Sequence, residues 1–289
     1  MIEAIVSQLA NGLVLGVLYI LIAIGLSIIF GLLGIINFAH GAFFALGAYI
    51  AVMIIGLLGW SGVILAPFGV AIVGVLCEQL VVRRLYSEGP LLSLVVTFAM
   101  ALLIEAAIRS VWGTMALPMS PPSSLAGIVE IGPILLTNYR LAVLGITVVV
   151  LSLLWAFFAF TPYGRILRAG SRDPEMLGWI GIDFPMVRTG AFALGCFLAG
   201  AGGVLAGPLW TVTPAMSSAA SMPAFVIVTI GGLGSYPGAI MAGLLVGIVT
   251  ALSVQFAPEL SGIAMYVLMA VVLLLRPRGL FGTAWERFE

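Results

Sequence analysis

Lysine is missing from this 289-residue sequence; all 11 basic residues are arginine. Chemistry that needs an ε-amino group is therefore closed to the chain. That excludes a P-loop ATPase, whose lysine reaches the β- and γ-phosphates, and an enzyme built on a lysine Schiff base. Cysteine and histidine are nearly as scarce. Cys77 and Cys196 each lie inside an apolar run and His40 is the one histidine, so there is neither a disulfide framework nor the Cys/His spacing of a zinc site. Charge is the third shortage: 8% of residues are charged, against about 25% in an average soluble domain. Too little polar surface remains to keep 30.2 kDa in water. What is abundant is apolar, with 63% hydrophobic residues and a mean hydropathy of +1.28, which places the chain in a bilayer.

A hydrocarbon core about 30 Å thick needs about 20 apolar residues per helix. Apolar runs of roughly that order cover 9–33, 38–58, 62–82, 91–111, 141–160, 189–210, 238–256 and 262–275, with a shorter one at 222–232. The expected fold is all-α, a polytopic integral membrane protein with about eight or nine transmembrane helices, some broken by glycine-rich segments, in one domain over residues 1–289. The 222–232 run is either a short true span or one of two re-entrant pieces. Arginine favours cytoplasmic loops, so Arg83, Arg84, Arg165, Arg168, Arg172, Arg188, Arg276, Arg278 and Arg287 belong on one side. The amino terminus then lies outside, and the 112–138 connection, with Pro118, Pro121 and Pro122, is expected to be an irregular outer cap. Glu3 and the lack of a basic n-region make the opening run a retained helix rather than a cleaved signal.

Three stretches interrupt the apolar pattern. In the first, Gly31, Gly34, Asn37, His40 and Gly41 separate two otherwise continuous helices. Irregular backbone at membrane depth is tolerated where protein or a water-filled cavity satisfies it, and broken helices line transport sites, so Asn37, His40 and Gly41 are pathway candidates. The alternative is a tight interfacial turn, with Asn37 capping the second helix and His40 facing headgroups. In the second, residues 161–183 read as a short capped helix. Asp173 suits the N-cap, Pro174 the first helical position, Glu175 the positive end and Gly181 the exit. Either that helix faces something outside the membrane, or it lies on lipid with Arg165 and Arg168 drawn to anionic headgroups. In the third, Gly231, Gly232, Gly234, Ser235 and Gly238 form a second break, while Gly243 and Gly247 read as helix-packing residues. Charges within spans are few. Glu105 and Arg109 sit at i,i+4, and Glu78 precedes Arg83 by about one turn, both read as structural pairs.

Together these stretches resemble the branched-chain amino acid ABC transporter permeases, the LivH-type integral subunits, over essentially the whole chain. The resemblance is carried by Ile36-Asn37-Phe38-Ala39-His40-Gly41 with Gly47-Ala48-Tyr49, by Gly164-Arg165 with Arg168-Ala169 and Gly181-Ile182, by Gly231-Gly232-Leu233-Gly234-Ser235 with Gly238-Ala239, and by Arg276-Pro277-Arg278-Gly279-Leu280. The sequence departs from the family's loop at Gly178 and Trp179, where alanine and a bulky aliphatic residue are typical. The resemblance implies a permease subunit of an importer in the bacterial inner membrane, with no cofactor of its own and ATP bound by its partners. Those partners would be a second, LivM-like permease, two cytoplasmic ATPases and a periplasmic solute-binding protein, with no nucleic acid. It makes 161–188 a coupling loop, with Arg165, Arg168, Asp173, Pro174, Glu175 and Gly181 at the ATPase, and makes Asn37, His40, Gly41, Gly231, Gly232, Gly234 and Ser235 the substrate path. The default solutes are branched-chain amino acids, with urea or short-chain amides as the alternative. An ion-coupled secondary transporter would explain the breaks but not a capped helix facing the cytoplasm. An intramembrane enzyme lacks a nucleophile–base pair, a carboxylate pair or a metal cluster in this sequence.

Overall fold

The computed structural model describes residues 2–86, 88–131, 134–172, 174–179 and 181–282. Helices dominate them: α1 (Ile2–Leu33), α2 (His40–Leu58), α3 (Ala66–Leu80) entered through a 3-10 turn at Trp60–Leu65, α4 (Pro90–Trp112) and α5 (Asn138–Phe160). After α5 come α6 (Pro162–Arg172), α7 (Pro174–Trp179), α8 (Phe184–Ala206), α9 (Met216–Gly231), α10 (Tyr236–Phe256) and α11 (Ser261–Leu275). Among the described residues eight helices are long and apolar enough to cross a membrane, and α9, at 16 residues, is shorter. The chain is a multi-pass all-α membrane protein. Its α8 begins at Phe184 and ends at Ala206, earlier than the apolar run suggests. Pro185 is free to occupy the first turn, and Pro208, which cannot continue a helix, stops it.

The long α1 is the axis of the bundle, packed on α8, α9 and α10; α2 is packed chiefly on α8 and α9, and α3, α4, α5 and α11 lie toward the outside. Backbones approach closely because glycine lacks a Cβ. A Cβ on Gly12 would lie 2.8 Å from Ile248 Cα, and one on Gly25 2.7 Å from the Gly195 carbonyl. Gly243 and Gly247 of α10 pack on Gly16 of α1 in the small-xxx-small manner of membrane helices, the packing role read from their spacing.

The two ends of the bundle differ. At one, Arg83 bonds Thr189, and the Arg188 guanidinium lies over the rings of Tyr86 and Phe184. The α1 terminus, α6 and the 279–282 tail meet there too. At the other, β1 (Ile128–Ile131) pairs antiparallel with β2 (Ile134–Thr137), and Leu117 forms a bridge with Val212. The irregular outer cap is thus partly a hairpin: β-branched residues favour strand, and the pleat buries Leu136 while Ile128 and Leu135 face outward. The Val212 bridge ties the approach to α9 to the hairpin end, whereas Ile230 at its exit bonds Leu280 of the tail. The chain therefore passes from one end to the other through α9, and between α8 and α11 it makes an even number of passages.

Candidate functional site

The first break doubles back into the bundle. After α1 the chain turns at Gly34, whose φ of +69° is the left-handed region that glycine adopts freely. Residues 34–39 then run beside α4, stitched to it by one hydroxyl. Thr97 Oγ1 accepts the Phe38 N–H at 3.2 Å and lies 3.1 Å from the Ile36 carbonyl. When α2 begins at His40, the imidazole Nε2 is 3.0 Å from the Ile22 carbonyl. Ile22 is roughly 16 Å from the end of α1 at 1.5 Å per residue, a climb that six extended residues, about 20 Å, can make. The second helix thus starts near mid-depth.

Asn37 and His40 are buried at this point. Asn37 Oδ1 accepts the Ala39 N–H at 3.0 Å, an Asx-type turn two residues on. The N-cap position itself is Ala39, and it makes no side-chain cap bond. The interfacial alternative is therefore displaced: Asn37 is not the helix cap, and His40 lies inside the protein, away from headgroups. A carbonyl can only accept, so His40 Nε2 carries the proton of that bond. Asn37 Nδ2 and His40 Nδ1 have no hydrogen-bond partner among the described residues. Buried polar atoms of this kind are uncommon and costly.

Gly41 brings a second helix start to the same place. A Cβ there would collide with Ser221 Oγ and the Ser217 carbonyl, both in the first turns of α9. Sixteen residues span about 24 Å, so α9 covers less than a full hydrocarbon core and its amino end lies within it. Two helix amino termini, each carrying partial positive charge, consequently abut near the centre of the membrane. Half-helix starts of this kind are the groups that transporters aim at a substrate carboxylate. Phe38 stacks on Phe225 of α9 at 4.4 Å and meets Phe98 edge-on at 6.4 Å, giving this site an aromatic flank. Thr97, Ser217, Ser221, Phe98 and Phe225 escaped the sequence reading. Each sits in an apolar or small-residue run, and the hydroxyls of Thr97 and Ser221 lie 2.8 Å from carbonyls one turn back, a local bond with no sequence signature.

The second break lies elsewhere. Gly231, Gly232, Gly234 and Ser235 are at the arginine-rich end, where Gly234 approaches Gly31 of α1. Ten residues of α9 separate Ser221 from Gly231, about 15 Å, so the structure does not bring the two breaks into one site. The tail closes over this one: Leu280 N–H donates to the Ile230 carbonyl at 2.8 Å, and Phe281 N–H to the Gly231 carbonyl at 3.0 Å, satisfying carbonyls that a helix end leaves open. Ser235 Oγ accepts the Gly238 N–H at 3.2 Å and caps α10.

The 161–188 loop packs against the same end. Thr161 Oγ1 accepts the Gly164 N–H at 3.0 Å, opening α6, and Arg165 and Arg168 are exposed. A Cβ on Gly170 would touch Leu177, Phe184 and Leu32, so α6, α7, α8 and the end of α1 converge on this glycine. The exit of α7 is a Schellman motif: Ile182 N–H reaches the Leu177 carbonyl, Gly181 N–H the Gly178 carbonyl, and Gly181 has φ +79°. Leu177 is buried, while Trp179 is 85% exposed. Asp173 lies outside the described residues, as do the side chains of Pro174 and Glu175, whose backbone belongs to α7. Phe158 of α5 stacks on Tyr236 at 4.9 Å, linking the loop's entrance to the second break.

A family model described as the branched-chain amino acid transport system permease component matches residues 8–273. The chain belongs to this family. Among curated relatives, the permease is 31% identical to the high-affinity branched-chain amino acid transport system permease protein LivH of Escherichia coli, over 95% of this chain and 94% of that one. It is 30% identical to the permease protein BraD of Pseudomonas aeruginosa, over 95% of both chains. A probable LivH of Methanocaldococcus jannaschii shares 24% over 94% of the permease and 91% of its own length. No solved structure matches. The permease is thus the membrane component of a multi-subunit transport system and not a catalytic subunit.

Proposed function

We propose that the permease is one of two membrane subunits of an ATP-driven importer that carries branched-chain amino acids across the inner membrane. Its partners are a second, LivM-like permease, two cytoplasmic ATPases that bind the ATP, and a periplasmic solute-binding protein; the permease itself needs no cofactor and binds no nucleic acid. The observation that carries this reading is the family match over 8–273. Residues 1–289 act as one membrane domain, with its arginine-rich end in the cytoplasm, as the bias of arginine toward that side favours.

The loop 161–188 is the lever. Arg165, Arg168, Asp173, Pro174, Glu175 and Gly181 meet the ATPase, and nucleotide-driven closure displaces α6 and α7 against the end of α1. The solute crosses between the two helix starts, whose partial positive charge draws a carboxylate, and the unpartnered atoms of Asn37 and His40 replace lost hydration. Residues Gly231, Gly232, Gly234 and Ser235 act as the inner gate below it. Such sites must be weak, because a tightly held solute leaves slowly.

The test is reconstitution. Liposomes carrying both permeases and both ATPases, supplied with binding protein, should import leucine only with ATP, and the permease alone should import none. Movement of leucine by the purified permease alone down an ion gradient would contradict the proposal.

A further inference from the structure

Glu78 is fully buried in the last turn of α3, at the arginine-rich end. Its carboxylate has three partners from two other segments. Tyr86 Oη donates to Oε1 at 2.9 Å, Thr189 Oγ1 donates to Oε2 at 2.8 Å, and Arg83 Nε lies 3.6 Å from Oε1. The Arg83 guanidinium also donates to Thr189 Oγ1 at 2.9 Å, closing a ring. Tyr86 lies outside the spans, and its phenol is held well above the usual range, first by burial and then by the Glu78 charge, so it stays a donor. The sequence pairs Glu78 with Arg83 only; the link to Thr189 crosses 111 positions.

Thr189 is in the second turn of α8, the first span after the 161–183 loop. Higher up, α3 and α8 pack backbone to side chain, Gly74 on Cys196 and Gly200 on Val70. A cavity of about 410 Å³ opens between them, with Val75 and Gln79 on one side and Met186 and Ala193 on the other. The hydroxyl–carboxylate bridge lies beside this opening, where a pull on the loop would arrive.

We propose that Glu78 is a positioning residue that fastens the start of α8 to the end of α3, so that displacement of the loop moves both helices together instead of sliding one along the other. This rests on the reading of 161–188 as the ATPase lever. A buried carboxylate held by two hydrogen-bond donors and an ion pair is costly to break by removing one partner, which suits a joint that must transmit force.

The experiment uses the assembled importer in liposomes and reads ATP hydrolysed per leucine imported. Thr189→Val, which removes the hydroxyl and keeps the shape, should raise that ratio about fivefold or more, with assembly and basal hydrolysis unchanged. Thr189→Ser should restore the wild-type ratio. Glu78→Cys with Thr189→Cys, in a chain freed of Cys77 and Cys196, should be uncoupled until a short bifunctional thiol reagent bridges the pair and returns the ratio to wild type. An unchanged ratio in Thr189→Val, failure of that variant to assemble, or a bridged pair that stays uncoupled would overturn the proposal. A wild-type complex that does not couple ATP to uptake would instead end the lever reading itself.

Discussion

The imidazole of His40 lies 3.0 Å from the carbonyl of Ile22, a residue well inside the preceding helix. That one relationship sets the depth of the site, because it holds the first residue of α2 well above the end of α1. Replacing His40 with alanine removes the tie and leaves a void. We expect a loss of about 2–4 kcal/mol of stability and a leucine uptake at least about tenfold lower. Thermal unfolding of the purified complex and uptake in liposomes measure the two.

Gly41 has no room for a methyl group. Gly41→Ala should destabilise the permease by about 1–3 kcal/mol through overpacking. Adding Ser221→Ala should recover only part of this, because the Ser217 carbonyl is backbone and cannot be trimmed. Comparison of the melting temperatures of the two variants checks this; full recovery would mean that α9 does not abut α2 as described.

The loop predicts a different pattern. Trp179 is almost wholly exposed, so Trp179→Ala should leave stability within about 0.5 kcal/mol while sharply lowering the amount of ATPase that co-purifies. Substitution of Asp173 or Glu175 should uncouple hydrolysis from uptake with insertion intact. Wild-type uptake in those variants would count against docking at this loop.

The tail is a clasp on the second break. Gly279 has φ +77°, and a Cβ there would lie 2.7 Å from Gly232 N. Gly279→Val should therefore displace the tail, expose the Ile230 and Gly231 carbonyls, and cost about 1–3 kcal/mol. Faster amide exchange at Leu280 and Phe281 would report the release, and unchanged exchange would argue that the tail docks otherwise.

Most spans were legible because a run of apolar residues as long as the bilayer is thick has one inexpensive fate. The nature of α9 was not. It starts inside the bundle, so its apolar length falls short, and only the Val212 and Leu280 contacts show that the chain passes from end to end through it. Glycine and Asn37 marked the first break as irregular, but its depth depends on a chain reversal fixed by Thr97 and Ile22, both distant in sequence. The Schellman exit at Gly181 was readable because its signal is local. The bridge from Glu78 to Thr189 was not, since neither residue's neighbours point to the other.

The central claim, that solute passes where the starts of α2 and α9 meet, is tested most directly by thiol accessibility. In a functional importer whose permease carries Asn37→Cys and lacks Cys77 and Cys196, a small polar thiol reagent should fail to react at rest and should react once ATP and loaded binding protein drive uptake. An introduced thiol that stays unreactive throughout turnover, while leucine continues to accumulate, would contradict the account.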